Sequence, residues 1–175
     1  MYEIRIHSRG GQGGVTAARL IALAAFRDGK HATATPFYGA ERRGAPIVAF
    51  ARIDEAPIRI YSQVQNPDLV VVLDRTLVPV VKVLAGLKPR GAVLVNSGHA
   101  VSLDHLKVHR VDLTGIALAE ELVVAGEPVL DTPVLGAIAR LGVISLGSAT
   151  GAIAEMFPDP RNVTAAERAF LEMVL

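Results

Sequence analysis

The stretch "HSRGGQGGVTAARLIALAAF", residues 7–26, decides the fold. Before it, Tyr2–His7 alternates, with Ile4 and Ile6 on one face and Glu3 and Arg5 on the other, the period of a strand. After it, Val15 to Arg27 is apolar nearly all round, which predicts a helix buried on more than one side and stopped at Gly29. Strand, glycine turn and buried helix open an α/β unit.

Outward from that unit the same alternation continues. Lys30–Thr35 predicts a second strand. Ile47–Ile53 and Ile58–Tyr61, separated by Asp54–Pro57, predict a β-hairpin, so the sheet should be mixed. "LVVVL" (69–73), Ala92–Val95 and Val108–Val111 read as further strands. Helices are predicted over Thr76–Leu87, Thr114–Ala125, Pro133–Leu141 and Gly147–Phe157. Thr164-Ala165-Ala166-Glu167 reads as the capping box of a last helix. With no repeat, low-complexity tract or linker, residues 1–175 are expected to form one domain. The predicted class is a three-layer α/β/α fold with a Rossmann-like mixed sheet and a β-hairpin.

Composition narrows the function. Hydrophobic residues make up 51% of the 175, and the mean hydropathy is +0.39. The apolar runs break before about 18 residues, against a membrane span. No basic-then-apolar leader opens the sequence, so a cytoplasmic location is expected. The excess apolarity then calls for a sheet covered on both faces, or for a partner. A net charge of +1, 5% aromatics and no Trp argue against nucleic acid. The sequence has no cysteine, which excludes a cysteine nucleophile and cysteine-ligated iron–sulfur clusters in this chain.

The turn Gly10-Gly11-Gln12-Gly13-Gly14 is the first candidate site. It lacks the Lys-Ser/Thr of a Walker loop, because Gly14 leads to Val15-Thr16. It misses the third glycine of a dinucleotide turn, and no acid stands near the end of the second strand to bind a ribose. What remains is a helix amino end able to take an anion or a subunit contact, or simply a tight packing turn. The second candidate is "FYGAERRGAP" (37–46), where Glu41, Arg42 and Arg43 precede Gly44 in a constrained loop suited to carboxylate or phosphate. Asp74, ending a predicted central strand, reads as a cap or turn partner. His105 and His109 with Asp104 are spaced unconvincingly for a metal, and Ser97-Gly98-His99 lacks a nucleophile elbow.

"RGGQGGVTAA" (9–18), "FYGAERRGAP" (37–46) and "LDTPVLGAIAR" (130–140) together resemble, in the same order, the gamma subunit of 2-oxoacid:ferredoxin oxidoreductases. The similarity runs nearly end to end, and "ERRGAP" looks most like the pyruvate and branched-chain 2-ketoacid types. Ser8 departs from a frequent glycine and Asp131 from a frequent asparagine. The resemblance implies a complex in which a 2-oxoacid is decarboxylated, electrons pass to ferredoxin and coenzyme A takes the acyl group. It implies alpha, beta and delta (ferredoxin-like) partner subunits carrying thiamine diphosphate, Mg and iron–sulfur clusters, while this chain holds no cofactor and is not itself catalytic. Glu41, Arg42, Arg43 and Gly44 would then meet a subunit or coenzyme A, and Gly10–Gly14 an anion or a subunit. Two alternatives stay open at this point: a stand-alone nucleotide- or anion-binding protein using the glycine turn, and a free-standing interaction module.

Overall fold

The computed structural model describes residues 1–36, 43–103 and 106–175. Six strands form the main sheet: β1 (Tyr2–Arg9), β2 (His31–Pro36), β3 (Pro46–Asp54), β4 (Leu69–Val72), β5 (Ala92–Asn96) and β6 (Val108–Val111). Their spatial order is β2-β3-β1-β4-β5-β6. β1 runs antiparallel to β3 and parallel to β4, and β4, β5 and β6 continue in parallel. The sheet is therefore mixed, as the sequence predicts.

Both faces of the sheet are covered. One carries α1 (Gly14–Arg27), α2 (Leu113–Ala119), α3 (Pro133–Arg140), α4 (Leu146–Met156) and α5 (Arg161–Glu172), packed on Ile4, Ile6, Ala51, Val71 and Leu94. The other is covered by irregular connections whose Leu77 and Val83 pack on Val70, Val72, Val93 and Val95. Covering both faces explains why β4 is an unbroken apolar run with every residue buried. It also buries the face of β1 expected to be polar: Arg5 and His7 are only 8% and 6% exposed.

Four expectations need correction. The hairpin partner of β3 is β2, not Ile58–Tyr61. β3 is buried on both sides of its pleat and lies inside the sheet, whereas Ile60 and Tyr61 are exposed outside any strand. Thr76–Leu87 is not an α-helix but a 3-10 turn, Arg75–Leu77, followed by successive turns. Pro79 offers no N–H and its ring opposes the carbonyl four residues back, while the valines around it resist helical χ1. α2 ends at Ala119, not Ala125. The chain turns there into a two-stranded hairpin, β7 (Val123–Val124) and β8 (Glu127–Pro128), through Ala125 and Gly126 at φ 52° and 85°. Finally, α5 starts at Arg161, with the Asp159 carboxylate accepting from the Arg161 N–H at 3.0 Å. Thr164 lies inside the helix, its hydroxyl donating to the Pro160 carbonyl, so the capping box is not used.

Candidate functional site

The glycine turn begins where β1 ends. Gln12 closes it from within: its backbone N–H donates to the Arg9 carbonyl at 3.1 Å, and its Oε1 accepts from the Arg9 N–H at 2.8 Å. Its Nε2 reaches Asp74 at 3.3 Å. The neutral amide is thus a latch inside the turn. Gly13 takes a left-handed conformation, φ 87°, and serves as the amino cap of α1 with no side-chain acceptor and no acid in the first turn. Among the described residues no side chain caps those helix N–H groups by a hydrogen bond, and they carry the partial positive charge of a helix amino end. Gly14 approaches Ser8 so closely that a β-carbon would collide with its hydroxyl. Ser8 fills the space of the frequent glycine while itself 1% exposed.

Three distant segments converge on this turn. From the second motif, the Gly10 N–H donates to Ala45 O at 2.9 Å and the Gly44 N–H to Gly10 O at 3.1 Å. Arg43 bridges alongside Gly10 and donates through Nη2 to the Ala125 carbonyl at 2.6 Å, tying the loop to the β7–β8 turn. From the third motif, the Leu130 N–H donates to Gln12 O at 3.0 Å and Asp131 packs on Gly13. From the end of β4, Asp74 accepts from Arg9 Nε at 2.9 Å and from the Thr76 N–H at 2.9 Å. Asp74 is therefore the cap and turn partner that the sequence suggests, and Arg9 also donates to Gly44 O. Glu41 and Arg42 lie outside the described residues, as do Asp104 and His105.

The turn separates two open spaces. A cleft of about 650 Å³ lies toward α1, lined by Ser8, Thr16, Arg19, Arg43, Val124 and Asp131. A crevice of about 370 Å³ lies beyond the carboxyl ends of β4 and β5, lined by Gln12, Asp74, Thr76, Asn96, His99 and Asp112. Asn96 is committed within the fold, donating to Leu73 O at 2.9 Å and Thr114 Oγ1 at 2.8 Å. Burial pushes Asp74 upward, but the bonds from Thr76 and Arg9 outweigh it and hold the carboxyl below its ordinary range. Asp131 goes the other way: burial raises it to about 6, and the opposing backbone hydrogen bonds, from the Thr132 N–H at 2.9 Å and from its own backbone, do not offset that.

The structure brings the predicted turn and Arg43 together, and adds Arg9 and Asp131, which the sequence reading did not place at the site. Arg9 stands in the quoted motif, yet its ion pair with Asp74 spans 65 positions. Asp131 stands in the third motif, and only the fold brings it over Gly13. Among the described residues no group of three or more His, Cys, Asp or Glu is placed to hold a metal ion. No helix among them is long and apolar enough to cross a membrane.

The class is that of an α/β chain with an open helix amino end whose glycine turn is locked by its own later motifs. Comparison carries this further. The family profile described as pyruvate ferredoxin/flavodoxin oxidoreductase matches residues 3–172. The chain is 50% identical to pyruvate synthase subunit PorC of Methanothermobacter marburgensis, with 99% of this chain and 98% of that protein covered. It is 48% identical to the pyruvate/ketoisovalerate oxidoreductases common subunit gamma of Thermococcus kodakarensis, with 100% and 98% covered. The crystal structure of pyruvate oxidoreductase subunit PORC from Thermotoga maritima superposes with a TM-score of 0.84 at 38% identity, over 99% of this chain and 97% of that one. The chain belongs to the pyruvate ferredoxin/flavodoxin oxidoreductase family, and its type is the gamma subunit.

Proposed function

We propose that this chain is the non-catalytic gamma subunit of a cytoplasmic pyruvate-type 2-oxoacid:ferredoxin oxidoreductase, acting as one domain over residues 1–175. Its glycine turn, with Arg43 and Gly44 beside it, forms a contact platform for neighbouring subunits, and Glu41 to Gly44 a contact for a subunit or coenzyme A. The alpha, beta and delta subunits supply thiamine diphosphate, Mg and the iron–sulfur clusters, and electrons leave to ferredoxin through them.

One observation carries the reading. The three segments that give the family resemblance meet at the carboxyl end of β1, through Gly10–Ala45, Gly44–Gly10 and Leu130–Gln12 hydrogen bonds. Segments so far apart in sequence, locked into one surface beside an uncapped helix end, fit a docking platform. The lack of any cysteine leaves the clusters to the partners.

The test is reconstitution. The purified chain, given pyruvate, coenzyme A, thiamine diphosphate and a viologen dye, is expected to show no turnover. The partner subunits expressed without it are expected to lose activity that its addition restores. Turnover by the lone chain, or full activity without it, overturns the proposal.

A further inference from the structure

Charge is distributed unevenly in this chain. From Arg75 to Leu103 the sequence carries Arg75, Lys82, Lys88 and Arg90 and no acid. This stretch supplies most of the irregular layer on the face of the sheet opposite the helices. From Asp112 to the end there are nine acids against Arg140, Arg161 and Arg168, and this part supplies four of the five helices. The near-neutral total therefore hides a basic layer and an acidic layer.

Within the basic layer lies a cleft of about 640 Å³. It sits where β5 and β6 begin, at the end of the parallel strands opposite the glycine turn. Half-buried Leu84, Leu87 and Leu106 give it an apolar lining, and Lys88, Arg90 and Lys107 are its cations. Lys88 is engaged by Asp68 at 2.7 Å. Arg90 and Lys107 are exposed and make no ion pair among the described residues. An apolar centre rimmed by Arg90 and Lys107, which have no acidic partner among the described residues, suits a protein surface with an apolar centre rimmed by carboxylates.

We propose that this cleft docks an acidic surface of a partner subunit, forming a second interface at the opposite end of the sheet from the glycine turn. The inference rests on the subunit reading above. The acidic helical layer of a second copy is a poorer occupant. Basic face on acidic face is a head-to-tail contact, and such contacts leave an open chain of copies unless a rotation closes it.

The experiment uses the complex made by co-expressing the chain with the other subunits of its oxidoreductase. Wild type is compared with the Arg90→Glu/Lys107→Glu double variant by size-exclusion chromatography with light scattering, at about 50 mM and about 0.5 M NaCl. Zero-length carbodiimide coupling of Lys107 to carboxylates, read by mass spectrometry, identifies the facing chain. The expected result is retention of one partner weakened roughly 10-fold or more by the reversal, most clearly at low salt. Coupling of wild-type Lys107 to that same partner is expected alongside it. The lone variant should melt near wild type, and Arg90→Gln/Lys107→Gln serves if it does not.

Unchanged assembly of the double variant overturns this interface while leaving the gamma-subunit reading intact. Coupling of Lys107 to the acidic helices of another copy overturns the choice of occupant. Failure of the wild-type chain to join the co-expressed subunits overturns the subunit reading, and this inference with it.

Discussion

The carboxyl side chain of Asp131 lies against Gly13 so closely that a β-carbon on Gly13 would come within 2.8 Å of Asp131 Cβ and 3.1 Å of Oδ2. Gly13 is also in the left-handed region. Gly13→Ala therefore combines backbone strain with a clash, and a loss of about 2–4 kcal/mol is expected. Gly11 shares the positive φ but faces open space, so Gly11→Ala should cost only about 1–2 kcal/mol. Urea unfolding of the two variants separates the terms. Equal losses would show that the packing of Asp131 on the turn contributes nothing.

Asp131 should also mark the pH profile. Its carboxyl is raised from 3.8 to about 6 by burial, so the folded state holds its proton longer than the unfolded chain does. The stability this group provides is present below about pH 4 and lost as pH rises through about 6. Asp131→Asn keeps an acceptor for the Thr132 N–H without the charge. It is expected to raise stability at pH 7, with about 2–3 kcal/mol as the upper limit for a shift of this size. A variant no more stable than wild type at pH 7 refutes the assignment.

His7 works in the opposite sense. Burial, with the nearby Arg5 charge second, lowers it to about 4, so the folded state stays neutral where the unfolded chain is protonated. Its contribution is present above about pH 6.5 and lost as pH falls through about 4. The two profiles oppose each other between pH 4 and 6. In Asp131→Asn, stability should therefore rise with pH across that window more steeply than in wild type. Denaturant titrations at pH 4.5, 5.5 and 6.5 check the slope. An identical slope in the two proteins counts against the Asp131 assignment, and stability that does not rise with pH in Asp131→Asn counts against that of His7.

Arg5 fastens the irregular layer to the sheet. From the buried face of β1 it donates to the carbonyls of Val64, Val83 and Ala85. Arg5→Met strands those carbonyls, and a loss of about 2–4 kcal/mol is expected. Amide exchange should accelerate over residues 64–87 before it does in α3 or α5. Uniform acceleration across the chain would deny Arg5 this local role.

Arg43 is exposed, so Arg43→Gln should leave the melting of the lone chain within the range of ordinary surface changes, about 0.5 kcal/mol. In the assembled enzyme the same change is expected to weaken assembly or to raise KM for coenzyme A. A raised KM with intact assembly selects the coenzyme, and lost assembly selects a subunit. A clearly unstable lone chain would make the Arg43–Ala125 contact structural instead.

What could be read from the sequence was whatever depends on neighbours along the chain. Ile4 and Ile6 alternate, Leu69–Val72 is a continuous apolar run, and Pro133 opens a helix that Gly142 follows; each signal is local, and each element formed. The errors arose where the deciding contacts are remote. Nothing near Ile58 shows that β3 is already paired on both sides, by β1 and β2. Thr76–Leu87 has helical spacing of apolar residues, but Val78, Val81 and Val83 pack on the second side of the sheet from turns. At the site, Gly10–Gly14 and Arg43 announce themselves by composition. The burial that raises Asp131 and the pairing of Arg9 with Asp74 come from tertiary placement alone.

The hydrogen bond from Leu130 to Gln12 has a consequence for biosynthesis. β1 and the glycine turn are made before the segments that lock them, the last of which, at Leu130, comes more than a hundred positions later, and the strands flanking β1 are themselves distant. Such long-range closure is slow and comes late in folding. A nascent or truncated chain lacking residues 130–140 cannot close the turn through Leu130, so recruitment through the proposed platform would admit only chains made past that segment.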